Sequence, residues 1–135
     1  MIRIILRWIL ALFYGFAGYM HIAAPGPFLT IMPSPIPFPE AIVFWTGVAE
    51  IAGAIGLMQP FHKGLRQASG IGLALYALCV WPANINHMMM DWTAEGGPLN
   101  LAYHIPRMIA QPVIIAWALW AGEAFPFARK EPQND

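Results

Sequence analysis

The stretch AIVFWTGVAEIAGAIGLM, residues Ala41–Met58, decides how this chain is read. Every residue in it is apolar or small except Thr46 and Glu50. A helix needs about 20 such residues to cross a hydrocarbon layer, so the stretch predicts a membrane span. Glu50 then lies at bilayer depth, where an ionised carboxylate costs at least a few kcal/mol unless it is paired or hydrated. That makes Glu50 a candidate functional residue.

The rest of the chain fits a membrane setting. Hydrophobic residues make up 59% of the 135 and charged residues 10%, against roughly 25% charged in soluble domains. The formal net charge is zero, which gives no pull toward nucleic acid. A single cysteine, Cys79, excludes an intrachain disulfide and a CxxC redox pair. No segment alternates at period two, as a membrane β-barrel would. The predicted fold is all-α: a polytopic membrane protein, an antiparallel four-transmembrane-helix bundle over residues 1–123, followed by a polar cytoplasmic tail at 124–135. The spans are placed at about 2–24, 40–58, 68–85 and 102–121. The first is read as a true span rather than a cleaved signal, because its apolar run is long, carries Tyr14, Tyr19 and His21 and has no convincing small-x-small cleavage site. Pro106 is placed in the first turn of the last span, and Pro112 is expected to kink it.

Basic residues set the orientation. Arg3 and Arg7 flank the first span, Lys63 and Arg66 separate the second and third, and Arg129 and Lys130 follow the fourth. The other two connections, 25–39 and 88–100, contain neither Lys nor Arg. The positive-inside rule then puts both termini in the cytoplasm. Arg107 is the one basic residue this pattern does not use. Glycines at Gly15, Gly18, Gly47, Gly53, Gly56, Gly70 and Gly72 are expected to let helices approach closely.

With that topology, polar side chains collect in the outer half. His21 is near the end of the first span, Asn84, Asn86 and His87 near the end of the third, and His104, Arg107 and Gln111 in the first turns of the fourth. Glu50 lies ten residues below Glu40, about 15 Å at 1.5 Å per residue. The expected arrangement pairs Glu50 with Arg107, directly or through Gln111, Asn84 or water, because an unpartnered carboxylate would otherwise be neutral or hydrated. Tyr76 and Ser69 are assigned to the inner half. The run His87-Met-Met-Met-Asp91 has copper-compatible donors. Three consecutive helical methionines point about 100° apart, however, so no metal ligand set is assigned.

The outer connection Pro25–Pro39 has prolines at alternate positions from Pro33 and remains apolar. It cannot be helical there and reads as a semi-rigid lid, with room beneath it for an apolar ligand carrying a polar head.

In order, Gly18-Tyr-Met-His21, Thr46-Gly-Val-Ala-Glu50-Ile-Ala-Gly53, Pro82-Ala-Asn84-Ile and His104-Ile-Pro-Arg107 with Gln111 and Trp117 resemble the DoxX and DoxX-like family of small four-helix membrane proteins. The likeness covers roughly residues 8–121. The segment before Arg107 departs from the family's usual leucine-rich sequence. The resemblance implies a bacterial inner-membrane location, and name-giving members are similar to the small subunit of a thiosulfate:quinone oxidoreductase. The chain has no haem motif, flavin fingerprint or cysteine pair, so electrons could pass only through a bound quinone, a metal or a partner.

The leading expectation is a membrane subunit binding a quinone or other amphipathic molecule. Glu50 and Arg107 would carry the chemistry, and His21, Asn84, His104 and Gln111 would contact the ligand. The alternatives are a non-catalytic scaffold or accessory protein and, third, copper handling at the outer face. Membrane lipid is the expected surrounding, and both a protein partner subunit and a homo-oligomer stay open.

Overall fold

The computed structural model describes residues 1–93 and 101–124, and within them every regular element is a helix. They are α1 (Ile2–Ala23), α2 (Gly26–Thr30), α3 (Pro39–Met58), α4 (Lys63–Thr93) and α5 (Leu101–Ala121). The expected polar tail lies, after Ala124, outside the described residues.

Each boundary has a local cause. The α1 helix stops just before Pro25, where the Ala24 N–H donates to the Met20 carbonyl at 2.9 Å. The short α2 has Pro27 in its first turn, which its missing N–H permits, and was not expected from the sequence. The prolines that follow hold 33–38 out of helical conformation. Phe38 takes a left-handed backbone (φ 53°), and Pro39 then opens α3 with Glu40 in its first turn. After Met58 the Gln59 amide caps a tight turn, donating to the Gly56 and His62 carbonyls and accepting from the His62 N–H.

The α4 helix is 31 residues long, about 46 Å at 1.5 Å per residue. It exceeds the expected 68–85 span at both ends and continues through Pro82. Pro106 lies in the second turn of α5, not the first, because that helix begins at Leu101.

Three helices, α1, α3 and α4, are long and apolar enough to cross a membrane. The α5 helix is as long as α1 to within a residue, but His104, Arg107 and Gln111 dilute its apolar run. Contacts run from α1 to α3, α3 to α4, α4 to α5 and α5 back to α1. Leu10 and Tyr14, Ala54 and Leu57, Leu73 and Ala74, and Ala118 and Ala121 form one core to which all four long helices contribute.

Two close approaches set the spacing. A Cβ on Gly47 would meet the Gly18 carbonyl oxygen at 2.8 Å, and one on Gly18 would meet the Gly47 oxygen at 2.6 Å. This locks α1 onto α3. A Cβ on Gly70 would lie 2.8 Å from Gly122 Cα, so α4 and the end of α5 touch backbone to backbone. Gly72, expected at a helix contact, faces open space, and Gly15 makes only an ordinary contact.

Candidate functional site

A cavity of about 410 Å³ lies under α2 and the proline-rich connection, between α3 and α4. Its size falls within the roughly 300–1,000 Å³ usual for small-molecule sites. Phe28, Ile31, Met32 and Ile36 roof it, and Ile42, Val43 and Val80 form apolar walls. Polar groups enter from two directions: His21, Thr46 and Tyr76 on one side, and Asn84, His87 and Arg107 on the other.

On the first side, Glu50 is 3% exposed, and the His21 Nδ1 lies 2.8 Å from its Oε2 and 2.9 Å from the Ala17 carbonyl oxygen. A carbonyl only accepts, so Nδ1 carries the hydrogen, and Nε2 is the nitrogen available for proton exchange. The Nδ1–H is directed at the Ala17 carbonyl, and Glu50 Oε2 lies beside it at short distance without a well-aligned hydrogen bond. Phe28 stacks on the His21 ring at 3.7 Å and pins α2 over it. The Tyr76 hydroxyl reaches both Glu50 and Thr46, and the Thr46 hydroxyl donates to the Val43 carbonyl at 2.8 Å. Glu50 thus stands behind the cavity wall and acts on the space through His21 and Tyr76.

Arg107 does not pair with Glu50 as expected. Its guanidinium donates to His87 Nδ1 at 2.8 Å and to Asn84 Oδ1, and it lies over the Tyr103 ring. The cause is helix pairing: α5 packs chiefly on α4, and Asn84 and His87, three residues apart, share the α4 face it meets. The carboxylate finds its partner on α1 instead, across the Gly18–Gly47 contact.

Two expected ligand contacts also fall elsewhere. His104 is 2% exposed and turned toward Asp91, with Nε2 3.0 Å from Oδ2. It does so because α4 continues past Ile85 and carries Asp91 alongside α5. Gln111 is buried but does not line the cavity. Conversely, Tyr76 and Cys79 line it. Tyr76 belongs to this space and not to the opposite end.

His87, Asp91 and His104 bring ligand-type atoms within 4.8 Å of one another, yet their protonation does not suit a metal. Arg107 has only donors, so His87 Nδ1 must accept. The proton of a neutral His87 then sits on Nε2, the atom 4.0 Å from Asp91, and no lone pair there faces the cluster. Met88, Met89 and Met90 are helical and so diverge.

The opposite end of the helices has its own polar knot, unforeseen from the sequence. Glu123, at φ 60°, takes Arg7 at 2.6 Å and Arg66 at 3.3 Å, while Gln67 donates to its carbonyl at 3.0 Å. Burial raises the Glu123 carboxyl pKa, but the Arg66 and Arg7 charges outweigh that and hold it below the usual carboxylate range. The ends of α1, α4 and α5 are thereby fastened together.

Fold and site define a class: an all-helical protein with three helices able to span a membrane and a two-sided polar cavity beneath a proline-rich cover. The chain belongs to the family described as Domain of unknown function (DUF8561), whose family model matches residues 10–122. No curated protein and no solved structure matches it.

Proposed function

We propose that this is a multi-pass membrane protein of the DoxX type, with four crossings and both termini cytoplasmic, and that its cavity binds the polar head of a quinone-like amphipathic molecule. The observation that carries the reading is the cavity itself: apolar walls and roof, with convergent polar groups on two sides. His21 and Tyr76, backed by Glu50, would exchange protons with an oxygen of the head. Arg107, held by Asn84 and His87, offers donors to a second acceptor. A quinone, when bound, supplies two-electron, two-proton redox chemistry. The chain's own residues bind the head, orient it and hold the protons.

Arg7 and Arg66 meet Glu123 at the end opposite α2, which supports reading that end as the cytoplasmic one under the positive-inside rule. The bacterial inner membrane, and a place as a subunit beside a redox partner, rest on the motif resemblance.

The test is binding. Protein purified from membranes is extracted with organic solvent and assayed for quinone, then titrated with ubiquinone analogues. Bound quinone in the parent and weakened binding in Glu50→Gln are expected. No quinone, no binding and a change only in stability would favour the accessory-protein reading, in which the polar groups merely staple helices.

A further inference from the structure

We infer that the ligand of this cavity carries an apolar tail, which leaves between Ile42 and Thr46 and lies along the outward face of α3. The inference rests on the proposed ligand cavity and specifies the class of molecule it takes. Ile42 and Thr46 line both that cavity and a second, apolar groove formed by Pro37, Phe38, Ala41, Trp45 and Ala49. Ile42 and Thr46 therefore stand between the two spaces, and the apolar groove begins directly behind the α3 wall of the cavity.

The groove follows from helical spacing. Within α3, positions 41, 42, 45, 46 and 49 recur every three or four residues and so share one face, and Phe38 stands just before the helix. Ala41 and Ala49 are small and exposed, leaving room, while Phe38 and Trp45, 78% and 65% exposed, stand as its sides. From Pro39 to Ala49 the helix rises about 15 Å, enough for an alkyl tail of roughly ten carbons.

Phe38 gives a second indication. Its backbone is left-handed, and strain of this kind at a non-glycine residue is retained where the surroundings impose it. Here Pro37 and Pro39 bracket it, which places its ring at the head of the groove. Because α3 is long and apolar enough to cross a membrane, the groove faces lipid. A tailed molecule can then put its head into the cavity while its tail stays in an apolar environment throughout.

The test uses the full chain in lipid nanodiscs. Cys79, the only cysteine and a wall of the cavity, reports head binding through protection from a maleimide. Two probes are compared: 2,3-dimethoxy-5-methyl-benzoquinone without a tail and the same head with a decyl tail. Both should protect Cys79 in the parent. Ala49→Trp fills the groove from an exposed position. It should raise the half-protecting concentration of the decyl compound about tenfold or more and leave the tailless one unchanged. Ala41→Trp, at another level of the groove, gives an independent repeat should the first variant misfold. If both variants leave decyl protection within about twofold of the parent, the tail inference fails and the cavity reading stands. If neither compound protects Cys79 in the parent at saturation, the cavity reading fails, and the tail inference with it.

Discussion

The partner of Glu50 can be identified energetically. Two couplings are compared by double-mutant cycles: Glu50→Gln with His21→Ala, and Glu50→Gln with Arg107→Gln. At 2.8 Å and an effective dielectric of about 20, the gross attraction between a carboxylate and an imidazolium is about 6 kcal/mol. Desolvating a carboxylate that is 3% exposed offsets much of this. Groups in direct contact retain couplings of about 0.5–3 kcal/mol, and the burial of Glu50 puts this pair in the upper part, about 1–3 kcal/mol. Arg107 shares no partner with Glu50, since its guanidinium is taken by His87 and Asn84, so that cycle should close within about 0.5 kcal/mol. The assay is SDS-induced unfolding in mixed micelles, followed by tryptophan fluorescence, with all five variants and the parent under one condition. A Glu50–Arg107 coupling above that of Glu50–His21 would refute the assignment and restore the pairing expected from the sequence.

Other outcomes follow from the same geometry. Gly47→Ala forces a Cβ against the Gly18 oxygen and His21 at 2.8 Å and should destabilise by about 1–3 kcal/mol. Gly72→Ala meets nothing within 4 Å and should gain up to about 1 kcal/mol from helix propensity, both read from unfolding midpoints. Glu123 has its folded pKa depressed, so its stabilisation is complete above the unfolded value of about 4.3 and is lost as pH falls through the folded value. Glu123→Gln should flatten that acid limb in a stability-versus-pH series. Cu²⁺ or Zn²⁺ should leave the parent's unfolding midpoint unmoved, whereas Arg107→Met, which releases His87 Nδ1, should make it respond to metal.

Helix positions were legible where the chain punctuates itself. Pro25 closes α1, Pro39 opens α3, Gln59-Pro60 ends it, and the observed limits of α1, α3 and α5 lie within one residue of those expected. The end of α4 was misjudged because Asn86, His87 and Asp91 look like a loop to a hydropathy reading, although a helix carries polar residues easily when a neighbour satisfies them. Asn86 donates to the Ile31 carbonyl, His87 meets Arg107, and Asp91 meets His104. The α2 helix was hidden by a Gly-Pro start that resembles the nonhelical prolines after it. The residues of the site could be picked out by polarity in an apolar setting, and four of the six expected ones, His21, Glu50, Asn84 and Arg107, do gather at or behind the cavity. Their pairing could not, because it depends on how each helix is rotated and which neighbour it meets. The Gly18–Gly47 contact turns His21 toward Glu50, and no periodicity in either helix encodes that registry.

The separation of the two polar groups has a chemical consequence. Had Arg107 bound Glu50, the two charges would have cancelled in one closed pair and the cavity would have lost its guanidinium. Instead the carboxylate is spent on an imidazole and a phenol, groups that can both give and take a proton, while the guanidinium is held by an amide oxygen and an imidazole nitrogen that leave its charge uncancelled. One side of the cavity therefore presents an imidazole and a phenol backed by a carboxylate, and the other a guanidinium held by an amide and a second imidazole. Under the proposed reading, a ligand with two acceptor oxygens would meet different chemistry at each. That asymmetry follows from the contacts of α1 with α3 and of α5 with α4.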